Sequence, residues 1–196
     1  DARLARVRAI VGPRGREVAS TIPKVMRANP FAEVNSMLGP SGERWVPVHG
    51  SVPMSAAVRT YEALEAVQAR HRAERERLSI DHGYLLCILG DRGILIEPVL
   101  YWPDSRLAFH ERVIEAGYLA RLPVHAENRE ARAAVDRLRE DLARCFLEHG
   151  AASFQLGRFY YYQEGLDPSA AALLGAIKAI VDPKGVLNPG CLGLGR

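Results

Sequence analysis

Tyr84-Leu85-Leu86-Cys87-Ile88-Leu89-Gly90-Asp91-Arg92-Gly93-Ile94-Leu95-Ile96-Glu97-Pro98-Val99-Leu100-Tyr101-Trp102 is the stretch that decides the fold. Two apolar runs, Tyr84 to Leu89 and Ile94 to Trp102, flank Gly90-Asp91-Arg92-Gly93, a turn composition. That pattern reads as a β-hairpin. The runs are apolar at nearly every position rather than every second one, so both faces of the hairpin are expected to be covered. Glu97-Pro98 is expected to interrupt the second strand, because proline has no N–H to give to a ladder.

Outward from the hairpin the period changes to that of helices. Met54 to Leu78 reads as one long helix, with Val58, Tyr61, Leu64 and Val67 along one stripe. Its second half, Ala69 to Arg77, is charged all round, with glutamates interleaved among the arginines. It is therefore read as a solvated face and not a nucleic-acid surface. Glu127 to His149 is the plainest helix, its stripe running through Ala131, Val135, Leu138, Leu142, Cys145 and Phe146 to a stop at Gly150. Ala152 to Tyr162 reads as an aromatic strand. Asp167-Pro168-Ser169 then supplies a cap and a first-turn proline for a closing helix with Leu173, Leu174, Ile177, Ile180 and Val181 at helical spacing. Pro183 ends that helix and Gly185 suits a positive-φ exit.

On the other side of the hairpin the signals are shorter. Trp45-Val46-Pro47-Val48-His49 is an extended segment, and Ala28 to Glu43 is loop. Leu4 to Val11 is a strand or a helix, and Val18 to Val25 a second extended piece. Ser105 to Gly117 is polar, mixed and open to a helical reading. The order is strand, long helix, hairpin, helix, strand, helix. Helices this long need an antiparallel sheet to bury their stripes, so the expected fold is α+β, a ferredoxin-like antiparallel sheet covered by helices.

The chain of 196 residues, 48% hydrophobic and 25% charged, has an ordinary globular balance. A net charge of +3 is too mild to announce a nucleic-acid partner. No apolar run approaches the roughly 20 residues that span a bilayer, and no signal-peptide pattern opens the chain, so a cytoplasmic protein is expected. Cys87, Cys145 and Cys191 lack metal-ligand spacing, and no metal is expected. Cys87, on an apolar strand, and Cys145, on a helix face, read as buried small hydrophobes. The chain opens at Asp1 in what reads as structured sequence, so it is taken as a piece of something larger.

The tail is more specific than its physics. Lys178 to Gly190 spells Lys-x-x-x-Asp-Pro-x-Gly-x-Leu-Asn-Pro-Gly. This string resembles the ending of the FAD-linked oxidases, the flavoprotein family that includes vanillyl-alcohol oxidase, p-cresol methylhydroxylase and the D-lactate and glycolate dehydrogenases. Trp45-Val46-Pro47-Val48 is similar to the aromatic segment before the first helix of that family's cap domain, and Arg158-Phe159 is similar to a pair in its last strand. The resemblance covers the chain from about Trp45 onward. It implies residues 1–44 as an extension or linker and 45–196 as the cap, or substrate, domain of an FAD-dependent oxidoreductase. Such a cap covers the flavin ring and orients a small phenolic or hydroxylated substrate for hydride transfer to flavin. FAD would be held mainly by an N-terminal domain outside these residues, since no glycine-rich phosphate cradle occurs in them. A homodimer is compatible with this reading.

The family's charged positions are filled differently here. A Tyr-Arg pair in the last strand of the phenol-oxidising branch aligns with Phe154-Gln155. The Glu-His-Gly of the hydroxy-acid branch aligns with Gln155-Leu156-Gly157. An acid and a histidine on the hairpin align with Leu85 and Ile94. The tyrosine that bonds flavin covalently aligns with Asn35, which implies noncovalent FAD. Three readings therefore stand together: an oxidoreductase cap, a noncatalytic binding or assembly module that has lost the chemistry, and a hydroxy-acid dehydrogenase cap.

The candidate residues follow. Glu97, with Ile96 and Pro98 as neighbours, is either a catalytic carboxylate with raised pKa or an edge group facing water. Arg158 is either a catalytic cation near a substrate anion or flavin, with Tyr160 beside it, or an arginine stacked on tyrosines. Trp45, Phe154, Gln155 and Tyr160 are the candidate substrate contacts. His49, Asn188 and Cys191 are assigned to the cofactor side, Cys191 standing where many relatives carry a basic residue.

Overall fold

The computed structural model describes residues 2–31, 34–153, 155 and 157–195, without the side chains of Ile22 and Met26. The chain divides into two compact units, Asp1–Val34 and Asn35–Arg196. The first holds helix α1 (Ala2–Val11) and helix α2 (Thr21–Ala28). Arg8 pairs with Glu17 through two hydrogen bonds of 2.8 and 2.7 Å. The extended piece expected over Val18 to Val25 is instead largely helix α2. Pro23 falls in its first turn, where a missing N–H costs nothing.

In the second unit β1 (Arg44–Pro47) and β2 (Gly50–Pro53) lead through a single 3-10 turn into α3 (Ala57–Arg70) and α4 (Arg72–Arg77). The hairpin follows as β3 (Asp81–Leu89) and β4 (Gly93–Trp102). Then come α5 (Ala108–Val113), α6 (Ala116–Leu119), α7 (Arg129–Glu148) and α8 (Pro168–Val181). No described helix is long and apolar enough to cross a membrane.

All pairing among the four strands runs through β4. It meets β3 antiparallel along one side; on the other it meets β1 and then β2, end to end and also antiparallel. Pro47 faces Val99 and Gly50 faces Ile96, so Val48 and His49 leave the regular ladder opposite Glu97-Pro98, with Val48 N–H donating to Pro98 O at 2.9 Å. Pro98 therefore does not interrupt β4. The discontinuity falls in the partner strand instead.

Strand alternation sorts the sheet into two faces. Val52, Ile96, Leu100 and Trp102 join Leu64 and Val67 of α3, and Val135, Leu138, Leu142 and Phe146 of α7, in the main core. Asn128 caps α7 by accepting the Ala131 N–H at 3.0 Å, and the expected stripe is buried throughout. Gly50 marks the closest approach of sheet and helix, since a Cβ there would lie 2.5 Å from the Phe146 ring. The architecture is α+β, a four-stranded antiparallel sheet with helices.

Four local expectations are corrected. The long helix breaks at His71, whose Nε2 lies 2.7 Å from Asp141 of α7. Its charged half does not project into solvent alone. Arg75 is buried, and Arg77 and Glu74 pair with Glu130 and Arg137 of α7, each at 2.7 Å. The distal half of β3 is uncovered. Leu85, Leu86, Ile88 and Leu89 are exposed, and so is Cys87; Cys145 is buried as expected. The described residues of 152–162 form no strand; among them Ala152 makes an isolated bridge to Ser51. Finally α8 forms with its Asp167 cap, accepting Ser169 N–H at 2.9 Å, but Leu173, Ile177, Ile180 and Val181 are exposed and none of its residues is buried.

Candidate functional site

The face of β4 opposite the main core presents Glu97, Val99 and Tyr101. Register places Leu85 beside Glu97 and Trp45 beside Tyr101. Ser36, Leu38, Gly39 and Pro40 line a groove of about 320 Å³ together with them. Trp45 is fixed there by its indole N–H, which donates to Ser36 O at 2.6 Å. Its ring lies 6.5 Å from that of Tyr101, tilted by 32°. Burial raises the Glu97 carboxyl above its ordinary range. Two of the sequence candidates, Glu97 and Trp45, thus share one site.

His49 sits at the break between β1 and β2 and is buried, 1% exposed. Tyr160 Oη is 2.7 Å from its Nδ1, and the Gln155 backbone N–H approaches its Nε2 at 3.3 Å. Burial lowers the imidazole pKa, favouring the neutral ring. A neutral ring that accepts from Gln155 at Nε2 carries its proton on Nδ1 and donates it to Tyr160. Burial moves the Tyr160 phenol up to about 12, offset in part by a hydrogen bond from the His49 backbone and by the Arg139 charge, with the Glu97 charge adding slightly to the rise. Tyr160 is thereby a neutral hydroxyl within the electrostatic reach of Glu97. Gln155 takes part through its backbone, not its amide. Phe154 lies outside the described residues.

Arg158 is elsewhere. It is exposed and lines a separate cavity of about 330 Å³ with Tyr160, Tyr161, Glu140 and Glu164. Neither Phe159 nor Tyr161 rests on it. Arg139 of α7 stands 4.2 Å over the Phe159 ring and Arg144 stands 5.4 Å over Tyr161. Tyr160 is the one candidate common to the His49 cluster and the Arg158 cavity.

The tail has a compact local logic. Asp182 is buried and accepts the backbone N–H groups of Val186 and Leu187 at 3.0 and 2.9 Å, together with the Lys178 ammonium. Those bonds hold its pKa down, the Lys178 bond first. Gly185 takes the positive φ of the exit, 63°. Lys-x-x-x-Asp-Pro-x-Gly is thus a helix end tied to the chain that follows it. Asn188, exposed and with φ of 45°, accepts from Cys191 N–H at 3.0 Å, and Leu192 N–H donates to Gly157 O at 2.8 Å. Gly193 reaches the Arg158 cavity; Asn188 and Cys191 line none of the cavities above.

Sequence reasoning missed three groups. Tyr101 was legible as the residue four beyond Glu97 on the same strand face. Ser36 to Pro40 carried no signal beyond loop composition. Asp104 is fully buried and accepts from Arg132 at 2.8 Å, Asn128 N–H at 2.8 Å, Ser105 N–H at 2.7 Å and Trp102 Nε1 at 3.2 Å, with Arg44 3.2 Å away. Desolvation pushes its pKa up, but these bonds, Arg132 first, outweigh it and hold the group at about 2. It pins the start of α7 to the end of β4. Compared with protein-family models, curated proteins and solved structures, the chain matches none of them.

Proposed function

We propose that this chain is the cap domain of an FAD-dependent oxidoreductase, with the flavin held by a separate N-terminal domain of the FAD-linked oxidase type. On this reading the sheet is one ferredoxin-like layer, and Ala152 beside β2 is the trace of a further strand at its edge. The observation that carries the proposal is the one-sided build of the layer. Helices fill one sheet face, while the other offers a groove with Glu97 among Trp45, Tyr101 and Leu85. A flat, mostly apolar surface with one carboxylate fits the covering of a flavin ring, and it does not fit the binding of a dinucleotide's phosphates. Flavin would supply the acceptance of hydride from a substrate C–H bond. The chain's own part would be to seat a small phenolic or hydroxylated substrate on Trp45 and Tyr101 and to take its hydroxyl proton at Glu97.

The second reading, a noncatalytic module, draws support from the exposure of Arg158 and its separation from the Glu97 groove. Reconstitution separates the two. A complete protein carrying this chain and a glycine-rich FAD domain should be yellow, and a substrate of the proposed class should bleach it. A flavin spectrum unchanged across a panel of phenols and hydroxy acids would sink the oxidoreductase reading.

A further inference from the structure

Two cavities adjoin at Tyr101. The first is the Glu97 groove. The second, about 420 Å³, is lined by Glu43, Ser79, Asp81 and Trp102, and shares Pro40 and Tyr101 with the first. Among the described residues their combined lining carries three carboxylates and no lysine, arginine or histidine, in a chain whose net charge is +3. Asp81 also borders Arg72 and Arg75 on its far side. Glu43 accepts Ser41 N–H at 2.8 Å. Glu97 pairs with no cation among the described residues, and apolar walls leave it poorly compensated.

The aromatic side of the groove points to the same class of ligand. The indole N–H of Trp45 is engaged by Ser36 O, so Trp45 offers an incoming molecule its π surface alone. Tyr101 stands beside it. An aromatic surface next to an uncompensated carboxylate attracts a cation and repels an anion. A groove of about 320 Å³ lies at the small end of ligand sites, suited to a molecule of one ring.

We propose that this groove is selective for a primary ammonium group carried on an aromatic body, with the ammonium paired to Glu97 and the ring seated on Trp45, Tyr101 and Leu85. The proposal rests on reading the groove as the substrate side of the cap; it narrows the substrate class to hydroxylated arylalkylamines and gives Glu97 the ammonium as its partner in place of the hydroxyl proton.

Calorimetric titration of the chain with tyramine, tyrosol and hydroxyphenylacetate tests it, because the three share a ring and differ in head group. Tyramine should bind roughly tenfold tighter than tyrosol, with the acid weakest. Glu97→Gln should bring tyramine to the level of tyrosol and leave tyrosol unchanged. Equal affinities on the unsubstituted chain, tightest binding of the acid, or no binding of any of the three overturns the proposal without reference to the variant's folding. The two readings fail separately. Bleaching of flavin by phenols with no amine preference removes the cation site alone, whereas amine binding with an indifferent flavin spectrum removes the oxidoreductase alone.

Discussion

Asp104 ties three stretches of the second unit together. Asp104→Ala would leave Arg44 buried without its counter-charge, and such losses cost about 3–5 kcal/mol. Chemical denaturation should read that loss directly. The sign with pH follows from a folded pKa near 2, below the unfolded value: the stabilisation is complete above about pH 4 and fades as the pH falls toward 2. Asp182 makes a local version of the same arrangement. Asp182→Ala should abolish hydrogen-exchange protection at Val186 and Leu187 while leaving α7 protected, and unchanged protection there would refute the tie. The sequence marked Asp182 by its spacing from Lys178 and by Pro183. It did not mark Asp104, whose five partners come from three separate stretches of chain.

At the scale of elements, periodicity told what would form and not what would be covered. The stripe of α7 and the stripe of α8 look alike in sequence. Leu142 is fully buried against the sheet, whereas Ile177 is 49% exposed. Leu142→Ala should therefore cost about 2–5 kcal/mol in the free chain. Ile177→Ser should move stability by less than about 0.5 kcal/mol in denaturant titrations. Apolar runs at β3 and β4 misled in the same way, because composition cannot distinguish a central strand from an edge. The run from Ala152 to Tyr162 reads as a strand for its β-forming residues, but Tyr160 within it is held by a side-chain bond to His49. The helices α3, α7 and α8, the hairpin position and the α+β class were legible; helix α2, the break at His71 and the strand β2 were not, since the first is short, the second coincides with a tertiary contact to Asp141 and the third spans only four residues.

For the molecule as a whole, the sequence brought Glu97 and Trp45 forward on local grounds, and the sheet register is what joins them. Arg158 looked equally promising and the fold sends it to a different surface. Spectral reconstitution with a flavin domain bears on the activity. The head-group series bears on the groove, and its pH dependence adds a check. Because burial raises Glu97, the tyramine preference should begin to fall at a pH above the ordinary glutamate range, and the fall should vanish in Glu97→Gln.

The central place of β4 also sets an order of events in time. The β3–β4 hairpin closes across three residues, Gly90 to Arg92, a contact the chain can find quickly. β1 can only pair with the far side of β4, so Arg44 must wait for Trp102 across the whole of α3, α4 and the hairpin. Contacts so distant along the chain form late and slow the search. On a ribosome the first strands made would be held without partners until the hairpin emerges. In refolding experiments, substitutions in the hairpin should slow folding, while those in β1 should chiefly hasten unfolding.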